Sequence, residues 1–240
     1  MSFPLRGAIV FCLFFLVIGC TRDPLPGFPR VMLWAWESPQ ELDFIDAREA
    51  GVAFLAETVL IGGGEMTVRP RLQPLHVPAG TALMAVVRLE TKGPGLPAPA
   101  GLASAIAPLA HLAGVRGIQV DFDAKTSERP FYRELIGLLT QQLPAGLPLT
   151  ITALASWCNY DAWIADLPVT DAIPMLFRMG PERYRPGDSF RVKLCQNSIG
   201  ISTDEPIIRL PRVRRIYIFH PGSWSKIDYR NAVQEAKRWL

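Results

Sequence analysis

The sequence predicts an α/β fold: a (β/α)8 barrel of the TIM type, somewhat degenerate, with helices missing after strands 2, 6 and 7. Three observations carry that expectation. Eight apolar runs of strand length recur between residues 30 and 220. They are nearly continuous in apolar character and rich in β-branched residues, as parallel strands buried on both faces are. Helical patterns fall between several of them. The chain has 240 residues, 49% hydrophobic and 20% charged, which suits one domain with an ample core and excludes general disorder. The alternative is an open doubly wound sheet. Against it, "IGGGE" lacks the G-x-G-x-x-G spacing of a dinucleotide site and no helix pattern follows.

The N-terminus is read before the fold. "MSFPLRGAIVFCLFFLVIGC" has one early arginine, an apolar stretch over 7–19 and a small residue before Cys20. That stretch is short for a bilayer span and suits a signal peptide, assigned to residues 1–19. "VIGC" resembles the bacterial lipobox, so Cys20 is the expected lipidation site. A plain signal or an uncleaved anchor is the competing reading. Residues 20–29 are expected to be a Pro-rich tether, extended rather than packed, and 30–240 the barrel. The expected location is the cell envelope, lipid-anchored on the periplasmic side. Thr21, standing where Asp would retain a lipoprotein at the inner membrane, resembles the outer-membrane sorting pattern of a Gram-negative host.

The strands follow in order. They are "RVMLWAWE", "GVAFLAETVLI", "TALMAVVRLE", "GIQVDFD", "LTITALAS", "DAIPMLFR", "SIGIS" and "RRIYIFH". A helix is expected over 38–51, opened by Ser38 as N-cap and closed by Gly51. Residues 62–80 read as an irregular or hairpin insertion. A weaker helix with an internal proline covers 102–114. A strong one covers 127–144, with apolar residues 131, 135, 138 and 139 on one face. A short one covers 159–168. The last, 225–240, places its basic residues late, as the helix dipole favours. Residues 179–197 and 203–213 carry no good helix pattern.

Charge narrows the partners. The net charge is +3, and removing Arg6 with the leader leaves +2. With no Lys/Arg run of five or more, nucleic acid is not an expected partner. Cys12 leaves with the leader, so Cys158 and Cys195 remain. An oxidising compartment permits a disulfide between them; two independent buried thiols are the alternative. The cysteines have no zinc spacing and the chain has only three histidines, so no metal or other cofactor is expected.

The ends of the strands carry the chemistry. In "GIQVDFD" side chains alternate, so Ile118, Val120 and Phe122 share one face and Gln119, Asp121 and Asp123 the other. The apolar face must meet helices, and the polar face must look into the barrel. Buried carboxylates are tolerated at the C-terminal mouth, where barrel enzymes keep their active sites. Other strands end alike, in Trp36 and Glu37, Arg88 and Glu90, Trp157, Arg178, Asp204 and His220. Each alone has an ordinary structural reading, such as a solvated acid or a core tryptophan. Their coincidence at one face is the stronger signal. Aromatics stack on sugar rings, and acids and arginine bond hydroxyls. Glycoside cleavage asks for two carboxyls, roughly 5 to 9.5 Å apart depending on mechanism.

"GIQVDFDA", "ITALASWC", "PMLFRMG" and "IGISTDEP", in that order, resemble a bacterial family known as domain-of-unknown-function family 3142, over about residues 30–240. That resemblance implies a glycosidase-type barrel and no particular activity. A more distant likeness is to chitinase-type glycoside hydrolases, whose fourth strand ends in D-G-x-D-x-D-x-E. It places that glycine on Gly117, the last Asp on Asp121 and the acid on Asp123. Arg116 and Gln119 stand where the family has its first two aspartates. The likeness implies Asp123 as proton donor and Asp121 as its modulator.

Two readings of function follow, with a third beside them. In the first the protein is an envelope glycoside hydrolase. Asp123 and Asp121 are catalytic, with Glu37, Glu90 or Asp204 as second carboxylate. Trp36, Glu90, Trp157, Arg178, Asp204 and His220 are the substrate-binding set. In the second it is a non-catalytic barrel that binds a glycan or an envelope protein, a degenerate hydrolase. The third uses Asp121, Asp123 and Asp204 to hold Mg²⁺ or Ca²⁺.

Overall fold

The computed structural model describes residues 23–179, 189–206 and 210–240; the leader, Cys20 and Thr21 lie outside them. In chain order the strands are β1 (Val31–Ala35), β2 (Gln40–Glu41), β3 (Ala50–Gly62), β4 (Glu65–Pro70), β5 (Leu75–His76) and β6 (Leu83–Thr91). They continue with β7 (Val115–Asp121), β8 (Leu149–Leu154), β9 (Asp171–Met175), β10 (Ser198–Ser202) and β11 (Arg215–Phe219). The helices are α1 (Pro99–Ile106), α2 (Arg129–Gln142) and α3 (Lys226–Ala236). All eight expected strands form. They pair in the order β1-β11-β10-β9-β8-β7-β6-β3, every pair parallel, and β3 pairs again with β1. The ring is therefore closed: an eight-stranded parallel barrel with few helices.

Closure divides the apolar side chains by strand parity. Inside lie Met32, Trp34, Ala53, Met84, Val86, Ile173 and Tyr217. Outside, Leu33, Val52, Val87, Ile118, Val120 and Ile151 pack against Leu102 and Ile106 of α1 and Tyr132, Leu135 and Leu139 of α2. Phe122 joins this outer layer, edge-on to Tyr132 at 5.2 Å between ring centres. Helix α2 begins with Pro130 in its first turn, and the Glu128 carboxylate just before it accepts from the Lys125 N–H at 2.8 Å. Helix α3 opens on Ser225, whose hydroxyl accepts from the Asp228 N–H at 3.1 Å. Helix α1 gives way to a 3-10 turn, Ala107–His111, at the internal proline. After β3 the chain turns back as β4, antiparallel, so the insertion over 62–80 is a hairpin followed by the short β5.

Three expectations are corrected. Residues 38–51 form no helix. Gln40 and Glu41 instead pair with Leu75 and His76, and Arg71 donates to the carbonyls of Trp36, Ser38 and Pro74. That arginine and the added strand take up the backbone groups a helix would have bonded internally. Gly51 is no helix terminus but lies in β3, where a Cβ would stand 2.7 Å from the Met32 sulfur. The second correction is at 159–168, where one wide turn, Trp157–Asp161, ends on left-handed Ala162. Between β9 and β10, residues 180–188 lie outside the described residues, as do 207–209 between β10 and β11. Among the described residues of those connections there is a 3-10 turn, Lys193–Cys195, and no α-helix.

The third correction concerns the tether. Leu25 and Phe28 are buried inside the barrel's N-terminal end, so residues 23–29 form a plug. Arg215 holds it. Its guanidinium is fully buried and donates to the carbonyls of Leu25 (2.9 Å), Phe28 (3.0 Å) and Pro29 (2.8 Å) and to Asp23 (3.2 Å). Beside it Asp171 accepts from the Ser198 hydroxyl, and burial pushes the Asp171 carboxyl up to about 7. Sequence alone reads this segment as linker because prolines dominate it; two apolar side chains and a buried cation override that composition. Arg215→Leu removes the donors of three carbonyls and is expected to cost about 3 kcal/mol or more, read as a lowered urea midpoint. An unchanged midpoint would mean that the plug is held by its apolar contacts alone.

Candidate functional site

The C-terminal ends of the strands surround a cleft of about 450 Å³. Strand parity delivers its lining. Arg88 on β6 lies beside Asp121 on β7 in register, and Thr152 on β8 comes next. The Thr152 hydroxyl donates to Asp121 at 2.7 Å. Deeper in the same row, Gln119 donates to the Thr150 hydroxyl at 3.3 Å. The polar face of "GIQVDFD" thus looks into the barrel, and Asp121 sits at the base of the cleft.

Electrostatics separate the two aspartates. Burial pushes the Asp121 carboxyl up to about 6; the charge of Asp123 adds to this, while Thr152 and Arg88 oppose it. Asp123 stands higher, at the exposed rim, and partial desolvation raises its carboxyl against the pull of Arg88. Glu90 is held below the usual range, first by Lys92 at 2.8 Å and then by Arg88 at 3.0 Å. The cleft therefore carries two carboxyls raised by desolvation, Asp121 and Asp123, and one, Glu90, held below the usual range.

Aromatic rings form the opposite wall. Phe177 and Phe219 stack at 5.5 Å with their planes 14° apart. Trp36 meets Phe219 edge-on at 5.9 Å, and Trp34 packs behind both. Arg88 lies over the Trp36 ring at 5.0 Å, and Arg178 over Phe219 at 5.4 Å. Arg178 takes a left-handed backbone, φ 52°, and its N–H donates to Glu205 at 2.9 Å.

The expected residues divide accordingly. Trp36, Arg88, Glu90, Asp121, Asp123 and Arg178 line the cleft together. Glu37 does not: it lies two residues past the end of β1, outside the lining, exposed and within the electrostatic reach of Arg71. Trp157 is buried in the outer layer, 5.0 Å from Trp163, because the chain has already left β8. Its neighbour Cys158 is bonded to Cys195, across 37 residues of sequence. Asp204 lies beyond the lining; its carboxylate is kept below the usual range by the Ser202 hydroxyl and by Arg178 at 3.4 Å. His220 is turned away as well, its Nδ1 2.8 Å from the Thr203 hydroxyl and its ring against Trp224. A second hollow of about 340 Å³ lies against α3, lined by Thr203, Glu205, Asp228 and Asn231, and His220 is not part of its lining. The metal reading is corrected too. Among the described residues no three His, Cys, Asp or Glu side chains converge on one point, and Asp204 is engaged with Arg178.

The sequence reading omitted Trp34, Thr152, Phe177 and Phe219. Their signal was present as parity: Thr150 and Thr152 alternate with Leu149, Ile151 and Ala153, and Phe219 falls two residues after Tyr217.

Residues 79–175 match the family model described as Domain of unknown function (DUF3142). The matched stretch, under half of the chain, runs from before β6 to the end of β9 and holds Arg88, Glu90, Asp121, Asp123 and Thr152. No curated protein and no solved structure matches the chain.

The raised Asp121 carboxyl has a pH consequence. A carboxyl whose folded pKa exceeds its unfolded value favours the folded state below the unfolded pKa, and that advantage is lost as pH rises towards the folded value. For Asp121 the window runs from 3.8 to about 6. Asp121→Asn keeps an acceptor for Thr152 and removes the buried charge. It is expected to be more stable than the parent at pH 8 by on the order of 1 kcal/mol, converging with it below about pH 4. Denaturant titrations at both pH values check this, and a variant destabilised at pH 8 would contradict it.

Proposed function

We propose that the protein is an envelope-held barrel that binds carbohydrate in this cleft without cleaving it. The supporting observation is the pairing of an aromatic wall with a polar one across a single open cleft. Trp36, Phe177 and Phe219 offer apolar ring faces and edges, while Arg88, Asp121 and Asp123 offer donors and acceptors for hydroxyls. The lipobox-like "VIGC" supports the envelope part: Cys20 is read as the lipid-bearing residue, held to the membrane outside the cytoplasm.

The geometry favours binding over hydrolysis because the second carboxylate is missing from its post. Glu37 lies outside the lining, Asp204 is engaged with Arg178, and Glu90 is paired with both Arg88 and Lys92. One observation keeps hydrolysis as a second reading: two carboxyls of raised pKa, Asp121 and Asp123, stand in one cleft. In that reading Asp123 donates the proton and Asp121 tunes it.

Calorimetric titration with a panel of envelope oligosaccharides tests the proposal. Binding without turnover is expected, and Trp36→Ala is expected to weaken it about ten-fold, the equivalent of about 1.4 kcal/mol. Turnover by the parent that disappears in Asp123→Asn would establish the hydrolase instead. Failure of the whole panel to bind would remove carbohydrate as the ligand.

A further inference from the structure

The barrel's N-terminal floor, opposite the cleft, is where the chain arrives from its leader. Asp23 is fixed there by Arg215, and Leu25 and Phe28 are packed into the floor. Cys20 stands three residues earlier, directly after the apolar stretch 7–19. Three extended residues span at most about 11 Å. A lipid on Cys20, or the apolar stretch itself if retained, would therefore hold the floor against the membrane and leave little freedom to tumble.

The floor's surface suits that neighbour. Pro26 and Leu112 are exposed there, and so are Arg30 and Arg116. Arg116 bonds the carbonyls of Gly27 and Gly80 and borders a hollow of about 550 Å³ along the plug. The acids just before β3 are paired: Asp46 with Arg48 at 2.9 Å and Glu49 with Lys237 at 2.8 Å. Exposed apolar groups interspersed with arginines are the composition of a surface that lies on anionic headgroups.

We infer that the floor around Asp23–Pro29 is a membrane-apposed face resting on anionic phospholipid headgroups, which points the cleft away from the bilayer. This rests on the reading of residues 1–20 as a membrane-directing segment. The mouth then stands a strand's length above the floor, roughly 17 to 23 Å for five to seven residues, and the cleft takes ligands from the side away from its own membrane.

The test uses the full chain made in a bacterial host, purified and reconstituted in vesicles of phosphatidylethanolamine and phosphatidylglycerol carrying a headgroup quencher. Ala145→Cys places a fluorophore on the floor turn before β8, and Ser127→Cys places one on the mouth side after β7. Both sites are exposed, and Cys158 and Cys195 are bonded to each other. The expected result is loss of most of the floor label's fluorescence with little change at the mouth. Membrane-bound protein with equal quenching at both sites, or stronger quenching at the mouth, would overturn the inference and leave the anchoring intact. Protein that does not partition with vesicles at all would overturn the anchoring, and the inference with it. Replacing phosphatidylglycerol by phosphatidylcholine is expected to reduce floor quenching; no change would refute the part assigned to the arginines.

Discussion

The pairing of β1 with β3 is the constraint from which the rest follows. Val31 to Ala35 lie in register with Ala50 to Phe54, and that ladder turns a sheet into a ring. An open sheet would leave two edges and let both faces meet helices. A ring has an inside. Every strand residue must then choose between a packed interior and a helical coat, and the choice alternates with parity. Trp34, Met84, Ile173 and Tyr217 fill the interior, while their sequence neighbours build the outer layer. Polar residues of inward parity are tolerable only where they find partners or water. Gln119 and Thr150 find each other, and Asp121 finds Thr152 at the level where the cleft begins.

The two ends of the ring are finished differently. At the floor the chain supplies its own stopper, and Arg215 converts three carbonyls and one carboxylate into a sealed base. At the mouth, among the described residues, nothing comparable closes the space. Arginines instead lie over aromatic rings, and carboxyls stay partly desolvated. One end is spent on stability and the other left available for a ligand, which is why the two buried acids, Asp171 and Asp121, belong to different accounts. Asp171 stands with Ser198 and Arg215 in the base, whereas Asp121 faces the cleft.

Much of this was legible in the sequence. The strands were visible as apolar runs, and the inward face of "GIQVDFD" followed from alternation alone. Arg88, Glu90, Asp121, Asp123, Trp36 and Arg178 were placed at one mouth by the same argument, and they line one cleft. What was not legible came from tertiary contacts without local signatures. Residues 38–51 have helix-compatible residues, yet Arg71 and the strand at 75–76 claim their backbone. Residues 23–29 look like a linker until Arg215, far away in sequence, is seen to hold them. Glu37 and Trp157 stand two and three residues beyond the ends of β1 and β8, where alternation no longer governs direction.

The six tryptophans give the most direct test of the central claim, that the mouth is the binding site. Trp34 and Trp36 lie at the mouth, whereas Trp157, Trp163, Trp224 and Trp239 belong to the outer layer. Indole N–H resonances in a heteronuclear NMR spectrum report each one separately as an oligosaccharide is added. The account predicts shifts for Trp36 and Trp34 while the other four hold still. Shifts confined to the outer-layer tryptophans would contradict it and move the binding surface away from the mouth.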